Sequence, residues 1–429
     1  MKPLSRRQAV AGLVCAPALH LAAARAEPVD DLQRAIEDAA RRGVAFRLPA
    51  GVVVTRGLTL PAGAHLVGAR GGSTLRLAGK GPLLRAGRIA RLTLEGLRLE
   101  GAPADGHEGG LAHFNDVSGL SVTGCEIVAA ARDGLRLEGC GGSIAGNRLR
   151  DIGATGILAI DSTGLQIENN EIAGCGDNGV RVWRWTKGYD GGRVVGNRIR
   201  DIASRSGGQG QNGNGVSVYR ADGVRASNND IRHCAWSHLR NNSCRDIVFV
   251  DNVCVECGET SIWAEFAFRD ATISRNRVDG AGAGISMTNL AEHNGRGAVC
   301  TDNEVRNIRP IVSDDGKTVY PNQRAIHAEA DARIAGNVVD GSPWVGVSLG
   351  WGPFLQNVTV EDNTIRNAPY GVSFSVAPGA GRGRIAGNRI GGASKAAIVA
   401  LRWEEVASGD LIDGCAPWPN IECAGNRRL

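Results

Sequence analysis

The 429-residue chain has little net charge and no apolar run long enough to cross a membrane. Its 49 basic residues exceed its 44 acidic residues by five. Four of the basic residues, Lys2, Arg6, Arg7 and Arg25, lie in the first 26 positions, which hold no acid, so the rest of the chain carries 45 basic and 44 acidic residues. The positive charge therefore belongs to the N-terminal segment, and the sequence predicts no nucleic-acid partner.

The first 26 residues predict an export signal rather than a membrane span. Arg6-Arg7 follows Ser5 and precedes an apolar stretch that is shorter than a span. Ala24-Arg25-Ala26 supplies small residues for cleavage. We expect the Tat (twin-arginine) translocase to recognise this segment and to export the folded protein to the periplasm or beyond.

The 61 glycines show no collagen period, so they do not indicate a fibrous chain. What recurs instead is an asparagine followed two residues later by Ile, Val, Leu or, once, Cys. These marker asparagines are Asn147, Asn170, Asn197, Asn229, Asn252, Asn276, Asn303, Asn337, Asn363 and Asn388. Their spacing of 23 to 34 residues indicates stacked units that share one continuous core.

Each repeat has the pattern of short β-strands joined by tight turns. The residue three positions before the marker is mostly apolar, as at Ile144 and Ile167, and the residue just before it is mostly Gly, Asn or Asp, which tolerate positive φ. A small residue then opens an alternating run such as Gly179-Val-Arg-Val. This predicts one coil of a parallel β-helix per repeat, with the marker amides hydrogen-bonded along the stack. A leucine-rich repeat shares the period and the asparagine, but its L-x-x-L-x-L run is missing here.

The sequence divides into three parts. Residues 1–26 form the signal, residues 27–80 form a cap helix with the first coils, and residues 81–429 form the repeats with a C-terminal cap. The segment from Asp30 to Arg42 has the pattern of one amphipathic helix. We expect this helix to cover the open strand edges of the first coil.

Ten cysteines remain after cleavage of the signal. We expect most of them to pack as small apolar side chains. Cys254-Val-Glu-Cys257 has the spacing of a redox or zinc pair, which stays open as an alternative. Cys415 and Cys423 close a short terminal loop, and we expect them to form a disulfide in an oxidising compartment. The sequence predicts no metal and no cofactor.

The strands that follow each small residue carry two neighbouring outward columns of side chains. The first column is Arg136, Leu158, Arg181, Ser217, Arg240, Trp263, Ser286, His327, Ser348 and Ser373. The second column is Glu138, Ile160, Trp183, Tyr219, Asn242, Glu265, Thr288, Glu329, Gly350 and Ser375. Insertions flank the middle coils, so we expect a groove there. We call its wall the outward strip: Arg181, Trp183, Tyr219, Arg240, Asn242, Trp263, Glu265, His327 and Glu329.

The outward strip predicts a polysaccharide or oligosaccharide partner, because exposed tryptophans stack on sugar faces and arginines bind carboxylates. The predicted substrate-binding residues are Arg181, Trp183, Tyr219, Asn242 and Trp263. The predicted catalytic residues are Arg240, Glu265, His327 and Glu329.

Two reactions are open for these carboxylates. Glu265 and Glu329 lie two coils apart, roughly 10 Å between backbones, which fits inverting glycoside hydrolysis with one acid and one base. His327 and Arg240 would instead serve a lyase that removes a proton beside a uronate carboxylate. The competing interpretation is that both glutamates are solvated acids paired with arginines.

The N-terminal helix, the coils at Leu48-Pro-Ala-Gly51 and Leu60-Pro-Ala-Gly63, and the Asn-x-Ile repeats resemble the pectate-lyase-like right-handed parallel β-helix superfamily over nearly all of the mature chain. With the Arg6-Arg7 signal, they look like a bacterial family of twin-arginine-translocated repeat proteins. The resemblance implies fold and compartment but no reaction. The Arg-x-Pro-x-x-Arg of pectate lyases and the Asp-Pro-His-Asp of mannuronan epimerases are missing. Of the polygalacturonase set only Asp314-Asp315 is present, in an insertion where a turn is expected.

We therefore predict an all-β, single-stranded right-handed parallel β-helix with an N-terminal capping helix. The predicted function is carbohydrate-active, a polysaccharide lyase or glycoside hydrolase acting at the outward strip. A non-catalytic glycan-binding module and a structural protein of the envelope are the alternatives.

Overall fold

The computed structural model describes residues 29–102, 109–208, 210–313 and 316–429. They form a right-handed parallel β-helix of about 14 turns, which confirms the predicted fold class. The predicted signal and Asp314-Asp315 lie outside the described residues. No helix in the described ranges is long and apolar enough to cross a membrane.

Each turn contributes strands to three parallel sheets, which we call A, B and C. Sheet A precedes the marker asparagine and contains Phe46–Arg47, His65–Val67, Leu84–Glu95, Gly110–Thr123, Gly142–Ala145, Gln166–Glu168, Arg193–Val195, Arg225–Ser227, Val248–Val250, Arg269–Ser274, Arg296–Thr301, Ala332–Ala335, Val358–Glu361, Gly383–Ala386 and Ile421–Ala424. Sheet B follows the marker and contains Gly51–Thr55, Ser73–Leu77, Leu97–Glu100, Glu126–Val128, Arg148–Ile152, Glu171–Cys175, Arg198–Ile202, Asp230–Cys234, Val253–Glu265, Arg277–Met287, Glu304–Arg306, Val338–Asp340, Thr364–Arg366, Arg389–Gly391 and Arg427–Arg428.

Sheet C carries the outward strip. Its own strands are Leu58–Thr59, Asp133–Glu138, Thr155–Ile160, Asn178–Tyr189, Asn214–Asp222, Leu239–Asn242, Arg324–Ala328, Val345–Leu349, Tyr370–Ser375 and Ala396–Arg402. Two long strands, Leu84–Glu95 and Gly110–Thr123, begin in sheet C and continue into sheet A. Two others, Val253–Glu265 and Arg277–Met287, run from sheet B into sheet C.

The alternation of residues along sheet C decides which side chains reach the core. Val216, Leu239 and Ile262 pair in register across three turns, and all three are fully buried in the core. Arg240, which follows Leu239, points to the opposite face because successive side chains on a strand alternate. Because the inward residues of successive turns are in register, the outward residues beside them also form a continuous strip.

The ten marker asparagines form one unbroken ladder, as predicted. The Nδ2 atom of each donates to Oδ1 of the next at 2.9–3.0 Å. Asn170 shows the remaining contacts: its Nδ2 also donates to the carbonyl oxygen of Ile144 at 2.8 Å, and its Oδ1 accepts the backbone N–H of Asn147 at 2.9 Å. The last member is Asn426, which the pattern missed because Arg428 stands in the apolar slot. All the polar atoms of a buried amide are thereby paired.

The turn before each marker has a left-handed backbone, as the Gly, Asn and Asp types predicted. φ is +65° at Gly146, +54° at Asn169 and +59° at Asp251. Arg275 adopts φ +53° at the same place, although arginine disfavours it. Its guanidinium binds the carboxylate of Asp251 in the preceding turn through two hydrogen bonds, at 2.7 and 2.9 Å.

The N-terminal helix spans Val29–Arg41 and covers the first coil, which confirms the predicted cap. The apolar face of the helix, with Leu32, Ile36 and Ala39, is buried. The side-chain amide of Gln33 donates to the carbonyl oxygen of Thr59 at 2.7 Å and accepts the Thr59 N–H at 3.0 Å. One glutamine thus occupies the edge of the strand Leu58–Thr59 as a further strand would.

The C-terminal end is closed by an irregular segment. Leu401–Arg402 pairs antiparallel with Glu405–Val406, and the Asp410 carboxylate accepts the backbone N–H groups of Ala397 and Ile398 at 2.8 and 3.2 Å. The predicted disulfide between Cys415 and Cys423 is present. Together these contacts cover the last open edge.

The eight other described cysteines are buried and unpaired, as expected for small apolar side chains. They are Cys125, Cys140, Cys175, Cys234, Cys244, Cys254, Cys257 and Cys300. Burial raises the pKa of the Cys257 thiol to about 12 and that of Cys254 further. No group of three His, Cys, Asp or Glu side chains in the described ranges has the arrangement of a metal site. Such thiols are poor nucleophiles and ligands, so the contacts favour packing over a redox or zinc role.

One interior position holds a histidine where the turns before it have glycine. His238 lies in register between Gly215 and Ser261, is fully buried, and its Nδ1 lies 2.9 Å from the Ser261 hydroxyl. Burial lowers the pKa of His238 to about 4. His238 therefore stays neutral in the folded state at pH values where it is protonated in the unfolded chain, whose histidine pKa is about 6.5.

This histidine predicts acid-sensitive folding. As the pH falls from 6.5 to 4, the unfolded state gains a proton at His238 that the folded state lacks, so His238 lowers the free energy of unfolding by up to about 3 kcal/mol. Urea unfolding of the wild type and of His238→Gln at several pH values measures this. Other groups titrate in both proteins, so the difference between the two is the test. Parallel pH profiles would contradict it.

Candidate functional site

The register of the outward strip is as predicted. In the first column Arg181 pairs with Ser217, Ser217 with Arg240, and Arg240 with Trp263. The same pairings place the second column beside it, for example Trp183 opposite Tyr219. Eight of the nine predicted site residues therefore lie on one face of sheet C, outside the apolar core, and Glu329 directly follows the strand Arg324–Ala328.

The middle of the strip is covered, which differs from the open groove that the sequence suggested. Arg240, Glu265, His327 and Glu329 are 5%, 2%, 8% and 7% exposed. The covering segments are insertions between coils, which the repeat pattern does not describe. One of them brings Gly210, with φ +100°, so close to Arg240 that a Cβ there would lie 2.2 Å from its guanidinium.

Arg240 and Glu265 form a buried ion pair. Nε and Nη2 of Arg240 donate to the two carboxylate oxygens of Glu265 at 2.6 and 2.8 Å, and the guanidinium lies 4.5 Å from the ring of Trp263. Asn242 donates to the same carboxylate at 3.2 Å, and Glu259 lies 3.4 Å from Nη1. Burial raises the pKa of Glu265, while the Arg240 hydrogen bonds oppose the rise. Glu265 is paired with arginine, as the competing interpretation held, but it is buried rather than solvated.

Glu329 has very different surroundings. Its Oε2 accepts the backbone N–H of Leu290 at 2.8 Å, and its Oε1 lies 4.0 Å from Nε2 of His327. Burial, together with nearby Arg324, lowers the pKa of His327 to about 3, so this ring is neutral. No Lys or Arg among the described residues lies within ion-pair distance of Glu329, and burial raises its pKa. Burial therefore favours the protonated form of this carboxyl group, which makes Glu329 a candidate for proton transfer.

One cluster of aromatic side chains lies at the N-terminal end of the strip. The ring of Trp183 lies 5.0 Å from Trp185 and 5.5 Å from Tyr219, and the guanidinium of Arg181 lies 4.0 Å from Trp183. A register shift after Trp183 carries the strand outward, and Trp185 and Tyr189 are 62% and 71% exposed. These rings offer flat apolar faces to solvent.

A second aromatic cluster escaped the sequence analysis. Arg324 lies three residues before His327 on the same strand, with its guanidinium 4.5 Å from the ring of Trp344 and 4.9 Å from that of Trp351. Trp403 packs edge-on against Trp351 at 5.4 Å. Trp403 comes from the C-terminal segment outside the repeats, so its position does not follow from the repeat pattern.

A shallow depression of about 450 Å³ lies on sheet A rather than at the strip. Its rim includes Asp270, Asp331, Arg333 and Asn357, and its floor is made of alanines. Asn357 donates to Asp331 at 3.1 Å, and Arg296 binds the other oxygen of that carboxylate at 3.2 Å. Because Asp331 already binds Asn357 and Arg296, and Arg333 binds Glu361, the strip remains the better candidate site.

Comparison with known proteins supports the fold. Residues 109–295, less than half of the chain, match the family described as right handed beta helix region. No curated protein matches the sequence of the chain. Bacteriophage phi29 gene product 12 is similar in structure: its N-terminal fragment is 16% identical with a TM-score of 0.55, and its pre-mature form is 17% identical with a TM-score of 0.54.

Both phage matches cover 92% of this chain; the chain spans 68% of the fragment but only 54% of the pre-mature form. The catalytic domain of a GH87 alpha-1,3-glucanase in complex with nigerose matches over 97% of this chain and 71% of its own at 15% identity, with a TM-score of 0.49. That score is too low to support an argument. The comparisons establish a right-handed parallel β-helix and leave the activity to the residues of the strip.

Proposed function

We propose that this protein is exported and carbohydrate-active, holding a glycan along the outward strip and acting on it with Glu329 as proton donor or acceptor. The observation that supports this is the contrast between the two glutamates of one column. Glu265 is held by Arg240 in a bidentate ion pair, whereas Glu329 has no cation within ion-pair distance among the described residues. Paired carboxylates in unlike surroundings are typical of acid–base catalysis.

The chemistry follows from those contacts. Protonated Glu329 would donate to the oxygen of a scissile glycosidic bond, and ionised Glu329 would take the proton beside a uronate carboxylate. His327 is neutral and lies beside it, so it would position the carboxyl group rather than supply charge. Arg240 and Glu265 already bind each other through two hydrogen bonds, which favours a positioning role for that pair.

A non-catalytic glycan-binding protein is the second candidate. It is favoured by the burial of the middle of the strip and by the exposed rings of Trp185 and Tyr189. Aromatic faces at a surface stack on sugar rings whether or not a reaction follows.

The deciding experiment uses the mature protein with a panel of acidic and neutral polysaccharides. Absorbance of unsaturated uronates and released reducing ends are followed together, and binding is measured separately. We expect Glu329→Gln to lose turnover by at least about 100-fold while binding persists, because one proton transfer is removed. Trp185→Ala should weaken binding about fivefold or more, since stacking of the indole ring on a sugar face contributes about 1 kcal/mol or more.

Glu171→Gln, which changes a half-buried glutamate on sheet B, is the matched control and should behave as the wild type. Binding without turnover in the wild type would select the second candidate. Neither binding nor turnover with any polysaccharide would reject both and favour a structural protein.

Export is proposed from the sequence alone, through Arg6-Arg7 and the apolar stretch after them. The Cys415–Cys423 disulfide is consistent with an oxidising compartment. Replacing both arginines by lysine and locating the protein in cell fractions tests it: accumulation in the periplasm regardless would reject Tat recognition.

A further inference from the structure

Arg324 is a largely covered cation without an anion. No hydrogen bond or ion pair of its side chain occurs within the described part of the chain, and its Nε is buried and unpartnered. Two tryptophan rings lie against the guanidinium instead. Two carboxylates are near, but Glu329 accepts the Leu290 N–H and Glu404 accepts the side-chain amide of Asn322 at 3.0 Å.

Such an arrangement is costly for the free protein. Covering a charge without a partner opposes folding, and contacts with aromatic rings offset only part of that cost. Burial lowers the pKa of Arg324 to about 10, which reflects this cost. Arg240, which is more deeply buried, pairs its charge with Glu265. The unmet hydrogen-bonding capacity at Arg324 is what a bound anion would use.

The same arrangement recurs at the other end of the strip. Arg181 lies against Trp183 at 4.0 Å, has an unpartnered Nε, and shows no ion pair among the described residues. Burial lowers its pKa to about 10 as well, with Asp133 and Asp177 acting only at a distance. Both arginines remain partly open to solvent, so a ligand can reach them.

The spacing of the two arginines limits the ligand. Five turns separate the strands that carry Arg181 and Arg324, through Ser217, Arg240 and Trp263 in the column. At about 4.8 Å per turn the separation is roughly 24 Å. A small anion reaches one arginine at a time, whereas an extended chain reaches both.

The exposed ring of Trp403 completes the C-terminal end. Trp403 is 45% exposed and rests on Gly352, whose φ is +53°; a Cβ there would lie 2.3 Å from the ring. Phe354 also packs edge-on against it at 6.4 Å. Trp403 packs on Trp351, and Trp351 lies against the Arg324 guanidinium, so the cluster offers a stacking face and a cation to one sugar unit.

We propose that Arg324 with Trp351 and Trp403 forms an anion subsite, which together with Arg181 selects an extended polyanionic glycan whose chain bears carboxylate or sulfate groups. The choice of a glycan as ligand rests on the proposed function, whereas the binding of an anion at Arg324 does not. It names the class of ligand, and it places an acidic group of the bound chain beside Glu329.

The test compares polygalacturonate with its methyl-esterified form, on the wild type, Arg324→Gln, Arg181→Gln and the double variant. We expect the acidic polymer to bind the wild type. Each single variant should bind it about tenfold more weakly and the double variant at least about 50-fold more weakly, because each substitution removes one charge-assisted contact with the same chain. The esterified polymer should bind all four proteins equally weakly. Arg333→Gln, an exposed arginine of sheet A, is the control and should bind as the wild type.

Equal binding of both polymers, with no effect of Arg324→Gln, would overturn the polyanion inference and leave the proposed function intact. Binding of neither polymer nor any other glycan would overturn the proposed function. Sulfate is then the probe: it should raise the thermal midpoint of the wild type above that in chloride of equal ionic strength, and not that of Arg324→Gln. No such difference would overturn the anion subsite too.

Folding of the variants is itself informative. Because Arg324 lacks an anion, Arg324→Gln should unfold at the same denaturant concentration as the wild type or a higher one. A clear loss of stability would show that Arg324 serves the fold and would contradict the subsite. Arg324→Lys keeps the charge without the planar fork and should bind the polymer with intermediate strength.

Discussion

Replacing Asn229 by alanine should lower the free energy of unfolding by about 3–5 kcal/mol. Nδ2 of Asn229 donates to the Val194 carbonyl and to Asn252 Oδ1, each at 2.9 Å. Its Oδ1 accepts the backbone N–H and the side-chain N–H of Asn197 at 2.9 and 3.0 Å. All four hydrogen bonds are buried, so the variant leaves their backbone and side-chain donors and acceptors without partners where water cannot reach them. Urea unfolding followed by circular dichroism measures the loss.

Asn426→Ala is the matched control because Asn426 ends the ladder. Its amide makes three such contacts rather than four and is only partly buried. We expect a loss of about 1–2 kcal/mol there, since water can replace the missing groups. Equal losses at Asn229 and Asn426 would mean that the ladder is not a buried, cooperative network.

Replacing Arg240 by methionine should cost about 3–5 kcal/mol, because it leaves the Glu265 carboxylate buried without its cation. Glu265 is 2% exposed, and its remaining partner is Asn242 at 3.2 Å. The loss should be largest at neutral and alkaline pH. The pKa of Glu265 is already raised by burial, so acidification protonates the carboxyl in the folded variant and restores part of its stability.

A double variant separates the charge from the packing. Arg240→Met with Glu265→Gln removes both charges, and we expect it to be more stable than Arg240→Met alone. If the double variant were less stable, the ion pair would not be the source of the loss. If Glu265→Gln alone abolished turnover without loss of stability, Glu265 would act in catalysis rather than in positioning Arg240.

The fold was predictable because its signals repeat. The marker asparagines, the left-handed turns before them and the alternating strands recur in almost every coil, so one misread coil changes nothing. The exceptions are local: Arg275 stands where Gly, Asn or Asp was expected, and its bond to Asp251 stabilises the turn. Asn426 was missed because an arginine replaces the apolar residue that follows.

The site was less predictable, because its surroundings do not repeat. The register of the columns followed from the strands, and Trp183 and Tyr219 lie as expected. The cover over Arg240 comes from an insertion around Gly210, and Trp403 comes from the C-terminal segment. Contacts made by single, unrepeated segments leave no periodic pattern in the sequence. The burial of the strip and the cluster at Arg324 are therefore visible only in the three-dimensional structure.

The asparagine ladder makes the length of this molecule adjustable in whole coils. Every marker amide donates toward the C-terminal neighbour and accepts from the N-terminal one, so all its steps point the same way. A duplicated or deleted coil that carries its own asparagine therefore leaves every other amide satisfied. Duplication inside the strip would move Arg181 and Arg324 apart by one turn, about 4.8 Å. In such a scaffold the number of repeats, rather than the shape of a pocket, would set the length of the ligand that reaches both arginines.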